Sequence, residues 1–212
     1  MRNEIANFKD CKSIAIMGGT FDPVHNGHLQ IADAAMTQLG LDRVLWIPTG
    51  RPPHKKTAVS DTDRLHMLRL ALQGQKRHEL DLCEINRNGY TRTVDTLREL
   101  HQRLPDTEFV FLIGADTLLQ LRHWKDFATV ATLCSFGIVC RPTVDDTAAK
   151  NELQALQNEF GLRYATVTVP AIPIASSDIR KAVASGMEIG DRVPESVKQY
   201  IQNHHLYKEL VE

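Results

Sequence analysis

The 212-residue chain has little that would mark it for a membrane, a nucleic acid or a resident metal. Its four cysteines, Cys11, Cys83, Cys134 and Cys140, form no C-x-x-C pair, which favours reduced structural thiols over a zinc or redox centre. Net charge is nearly nil: 25 Lys and Arg stand against 26 Asp and Glu, leaving −1. No global field therefore draws the chain to nucleic acid or to a lipid surface, and any anion must be bound locally. No apolar run is long enough to span a bilayer, and the opening MRNEIANFKDCK carries charges where a signal peptide has its apolar core. A cytoplasmic protein is expected. Repeats, low-complexity tracts and a linker are also missing, so the length suits a single domain over 1–212. Nothing in the sequence specifies an oligomeric state.

What is present is an alternation of short apolar runs with helical patterns. SIAIM (13–17) predicts a buried strand, HLQIADAAMTQLG (28–40) a helix stopped by Gly40, and RVLWIP (43–48) a second strand. This β-α-β unit implies parallel strands with a right-handed crossover. Ser60 and Asp63 make a capping-box-like start for a helix to about Leu72. ELDLCEI (79–85) reads as a strand whose apolar phase slips, and VDTLRELHQRL (94–104) as a helix ending before Pro105. FVFLI (109–113) is continuously apolar, as a central strand buried on both faces requires. SFGIVC (135–140), ending at Arg141-Pro142, and YATVTV (164–169) are further strands, with a helix over 147–161 between them. Helices starting near Ser177 and Pro194 complete the pattern. The expectation is an α/β fold with a doubly wound, mostly parallel sheet of about six strands. The segment 48–60, PTGRPPHKKTAVS, is long and poor in apolar residues, which suits a functional loop.

GGTFDPVHNGH (18–28) falls between the first strand and the first helix. Gly18 and Gly19 let backbone approach a ligand closely. His28 stands at the helix start, where free N–H groups and the dipole favour anions, and His25 reaches the same space from the preceding loop. The stretch reads as a phosphate-binding turn armed with two imidazole donors. A zinc pair at i, i+3 is the competing reading; it needs a third ligand, and no nearby Cys or His has the usual spacing. Ordinary surface histidines are the other. The stretch is neither a P-loop, since no G-K-[ST] follows, nor a G-x-G-x-x-G fingerprint.

GGTFDPVHNGH resembles the signature of the nucleotidylyltransferase superfamily, whose H-x-G-H motif is shared with class I aminoacyl-tRNA synthetases. Further segments are similar, in the same order, to bacterial nicotinate-nucleotide adenylyltransferases: IPTGRPPHKK (47–56), DRLHML (63–68), FLIGADTLLQLRHWKDF (111–127), CRP (140–142), IASSDIR (174–180) and VPESVKQYIQNHHLY (193–207). The resemblance spans nearly the whole chain. It implies a Rossmann-like nucleotidylyltransferase fold, including C-terminal helices over 176–207, with the site at the strand carboxyl ends. The implied reaction joins ATP and nicotinate mononucleotide, releasing pyrophosphate.

That chemistry needs positioning and charge stabilisation more than a nucleophilic side chain, because a phosphate monoester with a second pKa of about 6 is already a dianion at neutral pH. His25 and His28, helped by backbone near Gly19, Thr20 and Phe21, are expected on the ATP phosphates. Arg180 is expected on the leaving pyrophosphate, with Ser176 and Ser177 capping its helix; a capped surface helix with a solvated arginine is the bland alternative. Lys55, beside Lys56 in a proline-stiffened loop, matches the family's position for the triphosphate, against the alternative of a solvated basic loop. Gly114 lets a nucleotide lie close, and Asp116 can accept from a ribose hydroxyl. By resemblance Trp124 stacks on the pyridine ring, although a tryptophan is more often core. Thr93 matches a family threonine whose turn recognises the nicotinate carboxylate. Here Thr91-Arg92-Thr93 stands where the family usually has Ser-Tyr-Thr, and a register using Gly89-Tyr90-Thr91 stays open, so acid-versus-amide preference is open too. Mg²⁺ is expected with ATP as co-substrate, with no ligand assigned to it; Asp22 is the nearest carboxylate in the first loop. Other adenylyl- and cytidylyltransferases of the superfamily, a non-catalytic nucleotide sensor on the same fold and a zinc hydrolase are the rival readings.

Overall fold

The structure is a computed structural model and describes residues 8, 10–50, 57–140, 147–170 and 173–208. Among these, β1 (Ser13–Gly19), β2 (Arg43–Pro48), β3 (His78–Leu80), β4 (Glu108–Gly114), β5 (Ser135–Cys140) and β6 (Tyr164–Thr168) form one sheet. Every pairing is parallel, and the order is β3-β2-β1-β4-β5-β6. The helices are α1 (Asn26–Leu39), α2 (Asp61–Leu72), α3 (Cys83–Asn86), α4 (Thr93–Arg103), α5 (Ala115–Leu118), α6 (Phe127–Leu133), α7 (Thr147–Phe160), α8 (Ser176–Ala184) and α9 (Glu195–Asn203). This is the doubly wound, Rossmann-like architecture expected from the alternation of runs.

Alternation along the strands sorts side chains onto two faces. Ile14 and Ile16 of β1, with Leu45 and Ile47 of β2, pack toward α4, α6 and α7. Ala15 and Met17, with Val44 and Trp46, pack toward α1, α2, α8 and α9. Each element thus buries its apolar face against the sheet. Trp46 is fully buried, and its indole N–H donates to Nδ1 of His78 at 3.0 Å, so the polar edge of the ring has a partner.

The strand order reverses between β1 and β4, and there the ladder stops early. β1 pairs with β2 as far as Gly19↔Pro48, but with β4 only as far as Ile16↔Phe111. The last residues of the two strands part, and a crevice opens at the carboxyl ends, where ligands bind in open α/β sheets. This corrects one detail of the central strand. Phe109, Leu112 and Ile113 are buried, but Val110 and Phe111 are only partly so. The Phe111 ring flanks the crevice; a Cβ on Gly18 would come within 3.1 Å of it.

The strand read over 79–85 is shorter than expected: β3 ends at Leu80. The Asp81 carboxylate accepts the N–H of Cys83 at 2.8 Å, which turns the chain into α3. The other elements lie close to their expected places. Gly40 ends α1 in the left-handed conformation, at φ 63°. Ser60 caps α2, its hydroxyl accepting the Asp63 N–H at 3.1 Å. Pro194 stands at the cap of α9, one position before its first helical residue.

Candidate active site

A cavity of about 860 Å³ opens at the carboxyl ends of β1, β4 and β5. Gly18, Gly19, His25 and His28 line it from one side, and Gly114, Asp116 and Trp124 from the other. Thr93, the first residue of α4, also reaches it. These sequence-predicted residues are therefore brought together.

The histidines are set by the backbone of α1. His25 is its N-cap and His28 its third helical residue. The His28 N–H donates to Nδ1 of His25 (3.3 Å), and the His25 N–H donates to Nδ1 of His28 (3.2 Å). A capping box made from two imidazoles results. A nitrogen that accepts cannot carry the proton, so each neutral ring carries it on Nε2. The rings stack with centroids 3.6 Å apart and planes 21° from parallel, so the two Nε2–H groups lie side by side. Phe21, at φ 49°, packs edge-on against His28 from behind. Paired Nε2–H donors at a helix N-terminus suit phosphate oxygens.

Burial holds His25 neutral, lowering its pKa from 6.5 to about 4. Burial also lowers His78, whose Nδ1 is occupied by Trp46 and whose Nε2 faces Asp33. In the unfolded chain these rings take up protons near their usual pKa, whereas in the fold they resist. Stability is therefore intact above pH 6.5 and is lost as pH falls toward 4. The loss from His25 is up to about 3 kcal/mol. Glu84 opposes it: burial raises this carboxyl to about 6, so protonation favours the fold below that value. Thermal melts from pH 7 to 4 are expected to fall, and His25→Asn, which keeps the cap, to flatten the fall. A profile unmoved by the substitution contradicts the assignment.

Other expected residues stand away from the lining. Thr20 and Phe21 lie behind the turn, and the Thr20 carbonyl accepts from Arg64 at 2.5 Å. Arg180 does not line the cavity; its Nη1 donates to the Asp22 carbonyl at 2.7 Å. Ser176 and Ser177 do not cap α8. The cap position is Ala175, and the Ser176 hydroxyl donates instead to the Pro23 carbonyl at 2.9 Å. The helix begins one residue early, so both serines fall inside its first turn, where a hydroxyl no longer reaches the open N–H groups. Arg92 is the N-cap of α4, exposed, with no side-chain cap bond. Lys55 and Lys56, and the Arg141-Pro142 strand end, lie outside the described residues.

Trp124 is half-buried: its ring meets Phe111 edge-on at 5.6 Å and Phe136 at 6.4 Å. It belongs to the core on one side and to the cavity on the other. Asp22, 3 % exposed, accepts the Tyr207 hydroxyl on Oδ1 (2.8 Å) and the Ala58 N–H on Oδ2 (2.6 Å).

Sequence reasoning missed three lining or supporting residues. Glu84 and Thr49 face the cavity. Arg64 is 0 % exposed and joins the ends of β1 and β2, donating to Thr20 O and, through Nη2, to Thr49 O (2.8 Å) and Asp61 (2.6 Å). A signal for it was available: Arg64, Met67, Leu68 and Ala71 share the buried face of α2, so an arginine stands at a core position. Glu84 was hidden by the strand assigned to 79–85.

The cytidylyltransferase-like family matches residues 16–182. The chain is 41% identical over 199 residues to a Desulfitobacterium hafniense (strain Y51) protein named "Probable nicotinate-nucleotide adenylyltransferase", covering 93% of this chain and 96% of that one. A Tropheryma whipplei (strain Twist) protein of the same name is 41% identical over 194 residues, covering 92% and 99%. Among solved structures, the Plasmodium falciparum nicotinic acid mononucleotide adenylyltransferase complexed with NaAD superposes with a TM-score of 0.76. It is 20% identical and covers 95% of this chain and 100% of its own, a likeness of fold.

Proposed function

Since the chain belongs to the nicotinate-nucleotide adenylyltransferases of the cytidylyltransferase-like family, we infer that it transfers the adenylyl group of ATP to nicotinate mononucleotide. The products are nicotinate adenine dinucleotide and pyrophosphate, a step of NAD biosynthesis. The observation that carries the assignment of the site is the reciprocally capped His25–His28 pair at the reversal point of the sheet.

The mononucleotide phosphate is the nucleophile. With a second pKa of about 6 it needs no general base. It attacks the α-phosphorus of ATP in line with the leaving pyrophosphate, and negative charge spreads over the bridging and equatorial oxygens. The Nε2–H groups of His25 and His28 donate to those oxygens without needing a positive charge. Backbone at Gly18 and Gly19 lets the triphosphate lie close. Arg180 keeps one N–H on the Asp22 carbonyl and stands outside the cavity lining, so its role on the pyrophosphate requires the remaining N–H groups of its fork to turn toward it when ATP binds. Ser176 and Ser177 act through the first turn of α8, and Lys55 adds charge on the triphosphate. Asp116 receives a ribose hydroxyl, with Gly114 leaving room. The nicotinate carboxylate sits at the N-terminus of α4, by Thr93.

Among the described residues, no group of three His, Cys, Asp or Glu side chains is placed to hold a metal ion by protein ligands alone, and both carboxylate oxygens of Asp22 already accept hydrogen bonds. Mg²⁺ belongs to ATP as its complex, and no step is routed through it. Residues 1–212 act as one domain. None of the described helices is long and apolar enough to cross a membrane. No cysteine is in a disulfide, and burial pushes Cys134 up to about 12, which suits a reducing cytoplasm.

Pyrophosphate release from ATP and nicotinate mononucleotide tests the reaction; saturable nucleotide binding without release would favour a sensor. Nicotinamide mononucleotide, assayed side by side, is expected to be the poorer substrate. For Trp124→Ala, stacking worth about 1 kcal/mol predicts a rise in the mononucleotide KM approaching tenfold, larger than the change in kcat. An unchanged KM with a lowered melting point would return Trp124 to the core alone.

A further inference from the structure

We propose that Tyr207 and Asp22 form a positioning pair: the Tyr207 hydroxyl, bound to the Asp22 carboxylate, holds the first loop so that His25 and His28 face the phosphates. The proposal rests on the reading of those histidines as phosphate donors.

Asp22 lies between the close-approach glycines and the histidines, and segments far apart in sequence converge on it. Tyr207 binds Oδ1 from 185 positions away, and the Ala58 N–H binds Oδ2 from 36. Arg180 takes the Asp22 carbonyl from 158 positions away. Neighbouring residues are tied in the same way: Ser176 to the Pro23 carbonyl, and the Asn26 amide to the Asp191 carbonyl at 2.6 Å. The part of the chain after β6 thus grips the loop along 22–26. The Tyr207 bond is the member of this set that joins two buried side chains.

Tyr207 is built into this place. The turn after α9 puts His205 at φ 52° and Tyr207 at φ 62°, the left-handed region that costs a residue with a Cβ, and closes with Leu206 N–H on the Ile201 carbonyl at 3.0 Å. Side chains at such positions persist where surrounding contacts over-determine them. Burial, with the Asp22 carboxylate beside it, pushes the Tyr207 phenol far above its usual range, so it remains a donor at every working pH. Phe21, next to Asp22, is also left-handed and packs against His28. The route from Tyr207 to the imidazoles is therefore short: hydroxyl, Asp22, the turn at Phe21, the ring of His28.

The control is a second phenol–carboxylate pair. The Tyr200 hydroxyl donates to Asp63 at 3.0 Å, away from the cavity lining. Tyr207→Phe deletes one oxygen and is expected to lower kcat about tenfold while moving both KM values less than threefold, because the loop still binds but presents its donors off-line. Tyr200→Phe is expected to leave kcat unchanged. Asp22→Ala, which accepts on neither side, should lower kcat at least as far as Tyr207→Phe, and the double variant should be no worse than Asp22→Ala alone. The free-Mg²⁺ concentration for half-activation should not move in any of them. Imidazole ¹⁵N spectra of the full chain should show the Nε2–H form for both histidines, with shifts perturbed in Tyr207→Phe and not in Tyr200→Phe. A Tyr207→Phe enzyme with unchanged kcat, additive effects in the double variant, or a shifted Mg²⁺ requirement in Asp22→Ala overturns the proposal. Should His28→Asn retain full turnover, the donor reading itself falls; with His28→Asn dead and Tyr207→Phe unimpaired, the tether alone falls.

Discussion

His28→Asn is expected to lower kcat by two to three orders of magnitude, while the protein melts within a few degrees of the parent. The asparagine carbonyl overlies Nδ1 and still accepts the His25 N–H, so the cap on α1 survives. No atom of asparagine reaches the place of Nε2. The loss is thus confined to one preorganised donor on a developing phosphate charge, which costs about 3–4 kcal/mol of transition-state stabilisation in comparable sites. Because the lost bond tightens in the transition state, kcat should fall with little change in KM. Steady-state pyrophosphate release, with a thermal melt on the same preparation, decides it. Near-normal turnover would remove His28 from the chemistry.

Arg64→Met is expected to lower stability by about 3 kcal/mol and turnover with it. The methionine fills part of the space but leaves the part-buried Thr20 and Thr49 carbonyls without this donor. Asp61, half-exposed, is rehydrated and loses little. For a chain of this size that corresponds to about 6–12 °C in the melting point. Arg64 lies at the junction of the first two strand ends, and its Nε–H is buried without a partner among the described residues. The fork is therefore held through its two Nη nitrogens, by the Thr20 and Thr49 carbonyls and the Asp61 carboxylate, and lysine should rescue poorly because one ammonium cannot span all three. Denaturation and kinetics of Arg64→Met and Arg64→Lys test this. A lysine variant as stable and active as the parent would show that charge alone suffices.

The element pattern was legible because it is local. RVLWIP and SFGIVC match β2 and β5 residue for residue, since short apolar runs between turn residues leave few other solutions. The Asp81 turn broke this rule: one carboxylate on a backbone N–H redirected the chain, and apolar periodicity does not register it. The site was legible where it is contiguous. Gly18 to His28 carry both the strand end and the helix cap, so proximity was guaranteed by spacing. Gly114 and Asp116 were read from the end of the central strand, Thr93 and Trp124 through the family resemblance, and the sheet order brings all four opposite the histidines.

Residue order alone established the alternating architecture, the imidazole turn and, through resemblance, the class of reaction. The fold had to supply the strand sequence across the sheet, the parting of β1 from β4, the burial that keeps His25 neutral, and the contacts of Arg64, Asp22 and Tyr207. The division follows the range of the forces. Periodicity, capping and turn preference act over a few residues and leave a mark in the chain. A hydrogen bond between residues 185 positions apart depends on how whole layers pack, and it leaves none.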